Sequence, residues 1–175
     1  MVIHELYDDK ECRGLELLRH GLSNIPEQNL AVNYHPHCSD NPANLFYLLK
    51  SERYKTGCYY VLEEDNQYIG SAGWNTYNTD IVLCLTRAYF VKGLRHRYYM
   101  AEHLLPKIFE QASVYNTFWI TCNDYNKNIY DGLVRLHSGK SAGIFNSWPS
   151  IYRKFVPVGS KVVNNSVQYV AEYKR

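Results

Sequence analysis

Apolar and polar residues follow their clearest pattern between Ile81 and Ala112. From Ile81 to Val91, both faces of an extended chain would be apolar, which is typical of a strand covered on both sides. From about Arg97 to Ala112, the apolar residues instead recur at the spacing of a helix. The pattern therefore predicts a central strand, a short basic joint and an amphipathic helix.

The segments before the central strand predict a helical start followed by a hairpin. The pattern favours a strand over Val2–Tyr7, a helix over Cys12–Leu22, a polar loop over 23–42 and a helix over about 41–53. The next two strands, Cys58–Glu63 and Gln67–Trp74, are joined by Glu64-Asp65-Asn66, whose residues tolerate a left-handed backbone. A second turn over Asn75–Thr79 leads into the central strand, so we expect an antiparallel meander of three strands.

The segments after the joint predict a parallel neighbour for the central strand. Thr117–Cys122 reads as a buried strand reached through a helical crossover, which makes it parallel to the central strand. Pro106 should kink the crossover helix or begin a second short helix. The remaining elements are a helix from Asn123 to about His137 and strands over about Ser150–Val158 and Val167–Tyr173. We expect one α/β (α+β) domain over residues 1–175.

Composition narrows the class of protein. The chain has 46% hydrophobic and 21% charged residues, which is ordinary for a soluble globular protein. Its five cysteines are scattered and odd in number, so we expect reduced thiols and a cytoplasmic location. We see no signal peptide or membrane-spanning run and expect no membrane partner. The segment His35-Pro36-His37-Cys38 lacks a matching second cluster, so no metal site is predicted.

The basic joint is the first candidate for chemistry. Lys92, Arg95 and Arg97 place three fixed positive charges just before a helix N-terminus, where backbone N–H groups and the helix dipole favour anions. The joint is therefore a candidate phosphate site, although a solvated helix start would have the same composition. The basic and aromatic run 92–99 also suits a nucleic-acid-binding module. A net charge of only +2 argues against that alternative.

The order of elements over about Cys58–Tyr173 resembles the GNAT superfamily of acyl-CoA-dependent N-acyltransferases. The resemblance is sharpest where the central strand runs into Arg95-His96-Arg97, and in the segment TFWITCNDYNKNIYDGL. The family's pyrophosphate loop has the form Arg/Gln-x-x-Gly-x-Gly/Ala, and the matching run here is Arg95-x-x-Tyr98-x-Met100, without either glycine. The chain is also similar to short, degenerate GNAT-like proteins of tailed bacteriophages.

The resemblance implies a three-layer sandwich with a mixed central sheet, an antiparallel meander, one parallel pair and helices on both faces. It also implies acetyl-CoA as acyl donor and an unidentified amine as acceptor. In the family, two parallel strands splay apart and the pantetheine bonds to exposed backbone. The cofactor-binding residues implied for this chain are Tyr89, Phe90, Val91, Lys92, Arg95, His96, Arg97, Tyr98, Tyr99, Met100, Ala101 and Asn126. Asn126 is preferred over Asn123 and Asn128 because it is expected to open its helix.

The resemblance makes Tyr130 the catalytic candidate, as the proton donor to the departing thiolate. Tyr130 could instead be a packing residue, and Asn126 only a helix cap. Glu63, Glu64 and Asp80 are candidate bases, since the central strand carries no carboxylate. The missing glycines keep open a second interpretation, a GNAT-fold protein that binds or assembles without catalysis. The oligomeric state is open, with a homodimer among the alternatives.

Overall fold

A computed structural model of the chain describes residues 1–6, 12–24, 30–31, 57–91, 96–139 and 148–175. These residues form two compact units: Met1–Thr76 with Leu85–His96, and Tyr77–Cys84 with Arg97–Arg175. Several predictions lie outside the described residues: the 23–42 loop apart from residues 23–24 and 30–31, the 41–53 helix, the His35–Cys38 segment, and Lys92 and Arg95.

The first unit is a helix against an antiparallel set of strands. Its elements are β1 (Val2–Leu6), α1 (Arg13–Asn24), β2 (Leu30–Ala31), β3 (Cys58–Glu64), most of β4 (Gln67–Tyr77) and the end of β5 (Ile81–Val91). The strand order is β1-β3-β4-β5, and β3 is antiparallel to both β1 and β4. The first strand, the α1 helix and the hairpin are thus confirmed.

The second turn lies later than predicted. β4 continues to Tyr77, and the turn occupies residues 78–80, where Asn78 and Thr79 have φ of 51° and 65°. Asn adopts this left-handed conformation more readily than most residues, which explains why the chain reverses there and not at Asn75. The prediction placed the turn about two residues too early.

The apolar face of α1 packs on one face of these strands. Leu15 and Leu18 are almost fully buried, and they form one cluster with strand residues that include Tyr59 and Tyr68. Gly21 makes the close approach possible, since a Cβ at this position would lie 2.5 Å from the Tyr68 ring. The helix therefore packs closely on Tyr59 of β3 and Tyr68 of β4.

The second unit contains the parallel pair. It begins with the start of β5 and continues with a helical run made of α2 (His96–Tyr99, whose first residue belongs to the first unit), a π-helix (Met100–Leu104) and α3 (Leu105–Gln111). β6 (Thr117–Cys122), a 3₁₀ turn (Asp124–Asn126) and α4 (Lys127–His137) follow. The last elements are a second 3₁₀ segment (Ser150–Lys154), β7 (Val156–Val163) and β8 (Ser166–Lys174). β5 is parallel to β6, β8 is antiparallel to β6, and β7 is antiparallel to β8. The parallel pair is therefore confirmed, within an α+β fold of mixed strand direction.

Pro106 is accommodated by a change of helix type. The helical run from His96 to Gln111 switches to π-helical geometry over Met100–Leu104, where the Leu105 N–H bonds to the Met100 carbonyl five residues earlier. Proline has no N–H and its ring crowds the carbonyl four residues before it, so a wider turn relieves both problems. α-Helical geometry resumes at Leu105, which confirms that a new helical segment begins at the proline.

Aromatic rings hold α3 against β6 and β8. The Phe109 ring lies 5.0 Å from Phe118 and 5.5 Å from Tyr173, both edge-on. Beyond the end of α3, the Arg175 guanidinium donates to the carbonyls of Ala112 at 3.0 Å and Tyr115 at 2.8 Å. A cation at a helix C-terminus satisfies carbonyls that have no partner within the helix.

The last hairpin corrects the sequence prediction. Ser150–Lys154 is a 3₁₀ segment, and the strand predicted to end at Val158 instead runs over Val156–Val163. Pro157 and Gly159 interrupt the alternation of side chains, and the structure absorbs them as a shift of register against β8. Asn164 and Asn165, with φ of 50° and 64°, form the two-residue turn that the prediction missed.

The described residues contain no group of His, Cys, Asp and Glu side chains that could hold a metal ion. Cys12, Cys58, Cys84 and Cys122 are free thiols. No helix in the described part of the chain has the length and apolar character needed to cross a membrane.

Three hydrogen-bonded side chains, His4, Arg13 and Glu63, tie β1, α1 and β3 together. Glu63, only 8% exposed, lies with one carboxylate oxygen 2.8 Å from an Arg13 guanidinium nitrogen and the other 2.6 Å from His4 Nε2. The hydrogen bond from Arg13, followed by that of His4, holds the pKa of Glu63 below its ordinary value. Glu63 is therefore occupied by a structural role, which counts against it as the catalytic base.

We predict that Glu63→Gln lowers the free energy of unfolding near neutral pH, and that this loss disappears in acid. Because the folded-state pKa of Glu63 is lowered, its stabilisation is complete above the ordinary value of 4.5 and is lost as the pH falls through the lower folded value. Urea-unfolding midpoints of the wild type and the variant from about pH 7 to about pH 3 measure the difference.

Glu16→Gln is the matched control for the same measurement. The Glu16 carboxylate lies 3.7 Å from Arg13, but its side chain is 70% exposed, so its removal should change stability little at any pH. If the difference in unfolding free energy between the wild type and Glu63→Gln does not vary with pH, the ionised Glu63 carboxylate is not the source of the stabilisation.

Candidate functional site

The middle of β5 is distorted. Leu85 and Arg87 have φ of 57° and 53°, in the left-handed region that costs a side-chain-bearing residue about 1–2 kcal/mol. The distortion begins two residues after the last parallel pair, because the ladder joins Ile81–Leu83 to Thr117–Trp119 and includes no further pair among the described residues. Strain of this kind persists only where surrounding contacts hold it.

Three buried hydroxyl groups hold the distorted strand. The Tyr59 hydroxyl donates to the Arg87 carbonyl at 2.7 Å, and the Tyr68 hydroxyl donates to the Tyr89 carbonyl at 3.0 Å. Ser71 Oγ lies between them, 3.0 Å from the Tyr59 hydroxyl and 2.8 Å from that of Tyr68. Burial raises the pKa of Tyr68, so its hydroxyl keeps the proton that it donates. Sequence reasoning missed this cluster, which carries no motif.

The predicted pantetheine-binding backbone lies directly after this distortion. The Tyr89 carbonyl is the one that accepts from Tyr68, whereas Phe90 and Val91 pair with Ala31 and Leu30 of β2. The structure thus already uses part of the backbone that the resemblance assigns to the cofactor. Binding through Tyr89, Phe90 and Val91 stays a prediction.

The predicted phosphate-binding residues fall around the start of a helix. α2 begins at His96 and passes through Arg97, and its backbone is helical from there. Tyr98 and Tyr99 are half-buried, whereas Met100 and Ala101 are buried. The two residues that replace the family's glycines, Tyr98 and Met100, therefore both have helical geometry. With helical geometry, a segment that lacks the two glycines could still direct its backbone N–H groups toward a phosphate.

Asn126 stands at the N-cap of α4, as expected, and a 3₁₀ turn over Asp124–Asn126 leads into that helix. The N–H of Asn123, just before this turn, bonds to Asn126 Oδ1 at 2.7 Å. The Asn126 N–H bonds in return to Asn123 Oδ1 at 3.2 Å. This reciprocal pair satisfies two backbone N–H groups at the start of the run, as in a capping box. Asn126 is thus engaged as a capping residue, and its contact with a cofactor stays a prediction.

The Tyr130 hydroxyl is positioned by the backbone of β7. Its oxygen accepts a hydrogen bond from the Gly159 N–H at 2.9 Å. Gly159 has φ of 91°, a conformation that favours glycine, and it lies at the shifted register of β7. The Tyr130 ring lies 5.4 Å from the ring of Tyr169, over which Lys127 Nζ lies at 4.9 Å. Gly159 and Tyr169 were not predicted, because they reach Tyr130 only through the tertiary fold.

Cys122 and Asp80 are two further groups that could take part in catalysis, as a nucleophile and as a base. Burial raises the pKa of the Cys122 thiol, at the end of β6, to about 12, so this thiol is a poor nucleophile. Asp80, a candidate base, lies exposed in the turn before β5. Cys122 is therefore disfavoured as the carrier of a covalent intermediate.

Comparison with known proteins identifies the fold. No family model matches the sequence, and no similar curated protein was found. Among solved structures, an aminoglycoside 6'-acetyltransferase type Ii superimposes with a TM-score of 0.55 at 13% identity, covering 99% of this chain and 97% of that one. A probable GNAT-family acetyltransferase from Chromobacterium violaceum gives 0.54 at 16% identity, covering 98% and 81%. ElaA of Escherichia coli gives 0.53 at 12% identity, covering 99% and 100%. On this structural similarity, the chain has the GNAT acetyltransferase fold.

Proposed function

We propose that this protein is an N-acetyltransferase that transfers the acetyl group of acetyl-CoA to an amine by direct attack. The observation that carries the proposal is the combination of the GNAT fold with a distorted β5 that leads to a helix beginning at His96. The resemblance assigns the cofactor to these same positions. The structural neighbours named as acetyltransferases support the reaction class, while their low identity leaves the activity a proposal.

The start of the helical run is the proposed diphosphate site. The first N–H groups of a helix have no partner within it, and the helix dipole adds partial positive charge. Lys92, Arg95 and Arg97 supply further positive charge along the sequence at this point, beside His96. The buried position of Met100 supports a side chain directed away from the ligand.

The backbone near Tyr89 is the proposed pantetheine site. A ligand that bonds to a strand edge must find N–H and carbonyl groups there. β2 pairs Leu30 with Val91 and Ala31 with Phe90, so a ligand that bonds to this backbone would replace these pairs. The proposal therefore places the pantetheine where β2 pairs in this structure.

Tyr130 is the proposed acid. The amine nitrogen attacks the thioester carbonyl carbon, the carbon–sulfur bond breaks, and the thiolate takes the phenolic proton. The Gly159 N–H occupies a lone pair of the Tyr130 oxygen, and the described residues offer no acceptor for its proton. The same N–H would stabilise the phenolate left behind. The proton lost by the amine goes to solvent or to a base outside this set.

A GNAT-fold protein without catalysis is the second candidate. The absent loop glycines, the pairing of Phe90 and Val91 with β2 and the structural engagement of Glu63 favour it. Such a protein would show no acetyl transfer, even where it binds a ligand. A nucleic-acid-binding role would rest on the run 92–99, and its hallmark would be oligonucleotide binding that weakens steeply with salt.

We predict that acetyl-CoA raises the melting temperature of the wild type and of Tyr130→Phe by similar amounts, and that only the variant loses turnover. A ligand at 100 times its Kd stabilises the folded state by about 2.7 kcal/mol. Removal of a general acid should lower kcat by about 10²-fold or more without changing cofactor binding. Thermal unfolding and release of the free thiol of CoA, with a panel of amines, provide the two readouts.

Tyr169→Phe is the control for loss of a tyrosine hydroxyl. The Tyr169 hydroxyl donates to Asp124 at 3.3 Å in an exposed position, and the phenylalanine ring would still pack on Tyr130. This variant should keep its turnover. If acetyl-CoA leaves the melting temperature of the wild type unchanged, the acetyltransferase proposal is wrong. If Tyr130→Phe turns over normally, Tyr130 is not the acid.

A further inference from the structure

We infer that Tyr59, Ser71 and Tyr68 are positioning residues, whose hydroxyl groups set the backbone of β5 at the acyl-CoA site. The inference rests on the proposed function. It adds a specific claim, that side chains distant in sequence from the predicted cofactor-binding residues control cofactor binding through the strand that they hold.

The proton balance of the cluster shows how the three hydroxyls depend on one another. The two carbonyl groups of β5 carry no proton, so Tyr59 and Tyr68 must each donate to one of them. Ser71 then has one proton for two tyrosine oxygens, at 3.0 Å and 2.8 Å. Ser71 therefore donates to one tyrosine oxygen at a time and can share the Tyr59 proton with the Arg87 carbonyl, so loss of its hydroxyl removes a buried contact from both tyrosines.

Burial makes this network sensitive to single changes. Tyr59 and Ser71 are 0% exposed and Tyr68 is 7% exposed, so water cannot readily replace a lost hydroxyl. The carbonyls belong to Arg87, itself left-handed, and to Tyr89, two residues further on. The bonds therefore hold the strained part of the strand.

The consequence for the site follows from the position of these carbonyls. Tyr89 is the first residue of the predicted pantetheine backbone, so its carbonyl bond to Tyr68 fixes the orientation of the adjacent peptide groups. Without the network, the left-handed residues at Leu85 and Arg87 would lose the contacts that offset their strain. β5 would then sample more regular geometries, and the N–H and carbonyl groups at Tyr89–Val91 would no longer be pre-arranged for a ligand.

β3 provides a matched control on its alternate residue. Tyr60 is also 0% exposed, and its hydroxyl oxygen accepts a hydrogen bond from Trp74 Nε1 at 3.1 Å. Neighbouring residues of a strand point to opposite faces, so Tyr60 lies away from the Tyr59 side of β3. Tyr60→Phe removes a buried tyrosine hydroxyl of the same strand without touching the network.

The test compares Ser71→Ala and Tyr68→Phe with Tyr60→Phe in the full chain. We expect the two network variants to raise the KM for acetyl-CoA by about fivefold to tenfold, with kcat changed less than about twofold. Tyr60→Phe should lower the melting temperature comparably and leave KM unchanged. Equal rises in KM for all three variants, or an unchanged KM in Ser71→Ala, would overturn the inference.

Amide hydrogen exchange tests the same inference without any ligand. Ser71→Ala and Tyr68→Phe should speed exchange of the amides of Leu85–Val91 about tenfold, whereas Tyr60→Phe should not. If the wild type neither binds nor uses acetyl-CoA, the proposed function fails and this arm still decides whether the hydroxyls hold β5. Unchanged exchange in both network variants would refute their positioning role.

Discussion

Buried hydroxyl groups must find hydrogen-bond partners, and in the first unit they find them on the backbone of β5. Tyr59 and Tyr68 donate to the carbonyls of Arg87 and Tyr89, and Ser71 joins the two tyrosines. This arrangement offsets the strain of the left-handed residues at Leu85 and Arg87. The close packing of α1, made possible by Gly21, seals the tyrosines from water and so keeps the bonds strong. The proposed cofactor site on β5 would therefore depend on these contacts.

In the second unit, too, a buried or distorted part of the backbone bonds to a side chain, but at β7 the backbone group is the donor. There, an N–H group of the distorted β7 donates to the phenol of Tyr130. Arg175 satisfies carbonyls beyond α3, and the π-helical turn before Pro106 resolves the missing N–H of the proline. In each case specific hydrogen bonds or a change of helix type accommodate groups that regular geometry would leave without a partner. Such departures are expected where a fold carries function, because regular structure alone specifies only the scaffold.

The features of this protein that the sequence predicts correctly are those set by residues close together along the chain. The apolar pattern of β5, the hairpin turn at Asp65 and Asn66 and the break at Pro106 all act within a few residues, so the sequence indicates them directly. The left-handed residues Leu85 and Arg87 are not glycines, and the tyrosines that bond to this part of β5 lie on other strands. The extent of β7 was missed for a related reason, since Pro157 and Gly159 imitate the end of a strand while Asn164 and Asn165 make the true turn. The resemblance indicates Tyr130, but its partner Gly159 is visible only in three dimensions.

The central claim is that an acyl-CoA ligand binds to the strained strand β5, whose backbone bonds to buried hydroxyl groups, and to the start of the helix that follows it. The most direct measurement is a titration of the isotopically labelled protein with acetyl-CoA, followed by backbone amide NMR. The account predicts that the largest shift changes fall on the amides of Leu85–Val91 and His96–Ala101, with smaller changes elsewhere. Saturable binding whose shift changes lie away from both segments, or no change at millimolar acetyl-CoA, would contradict it.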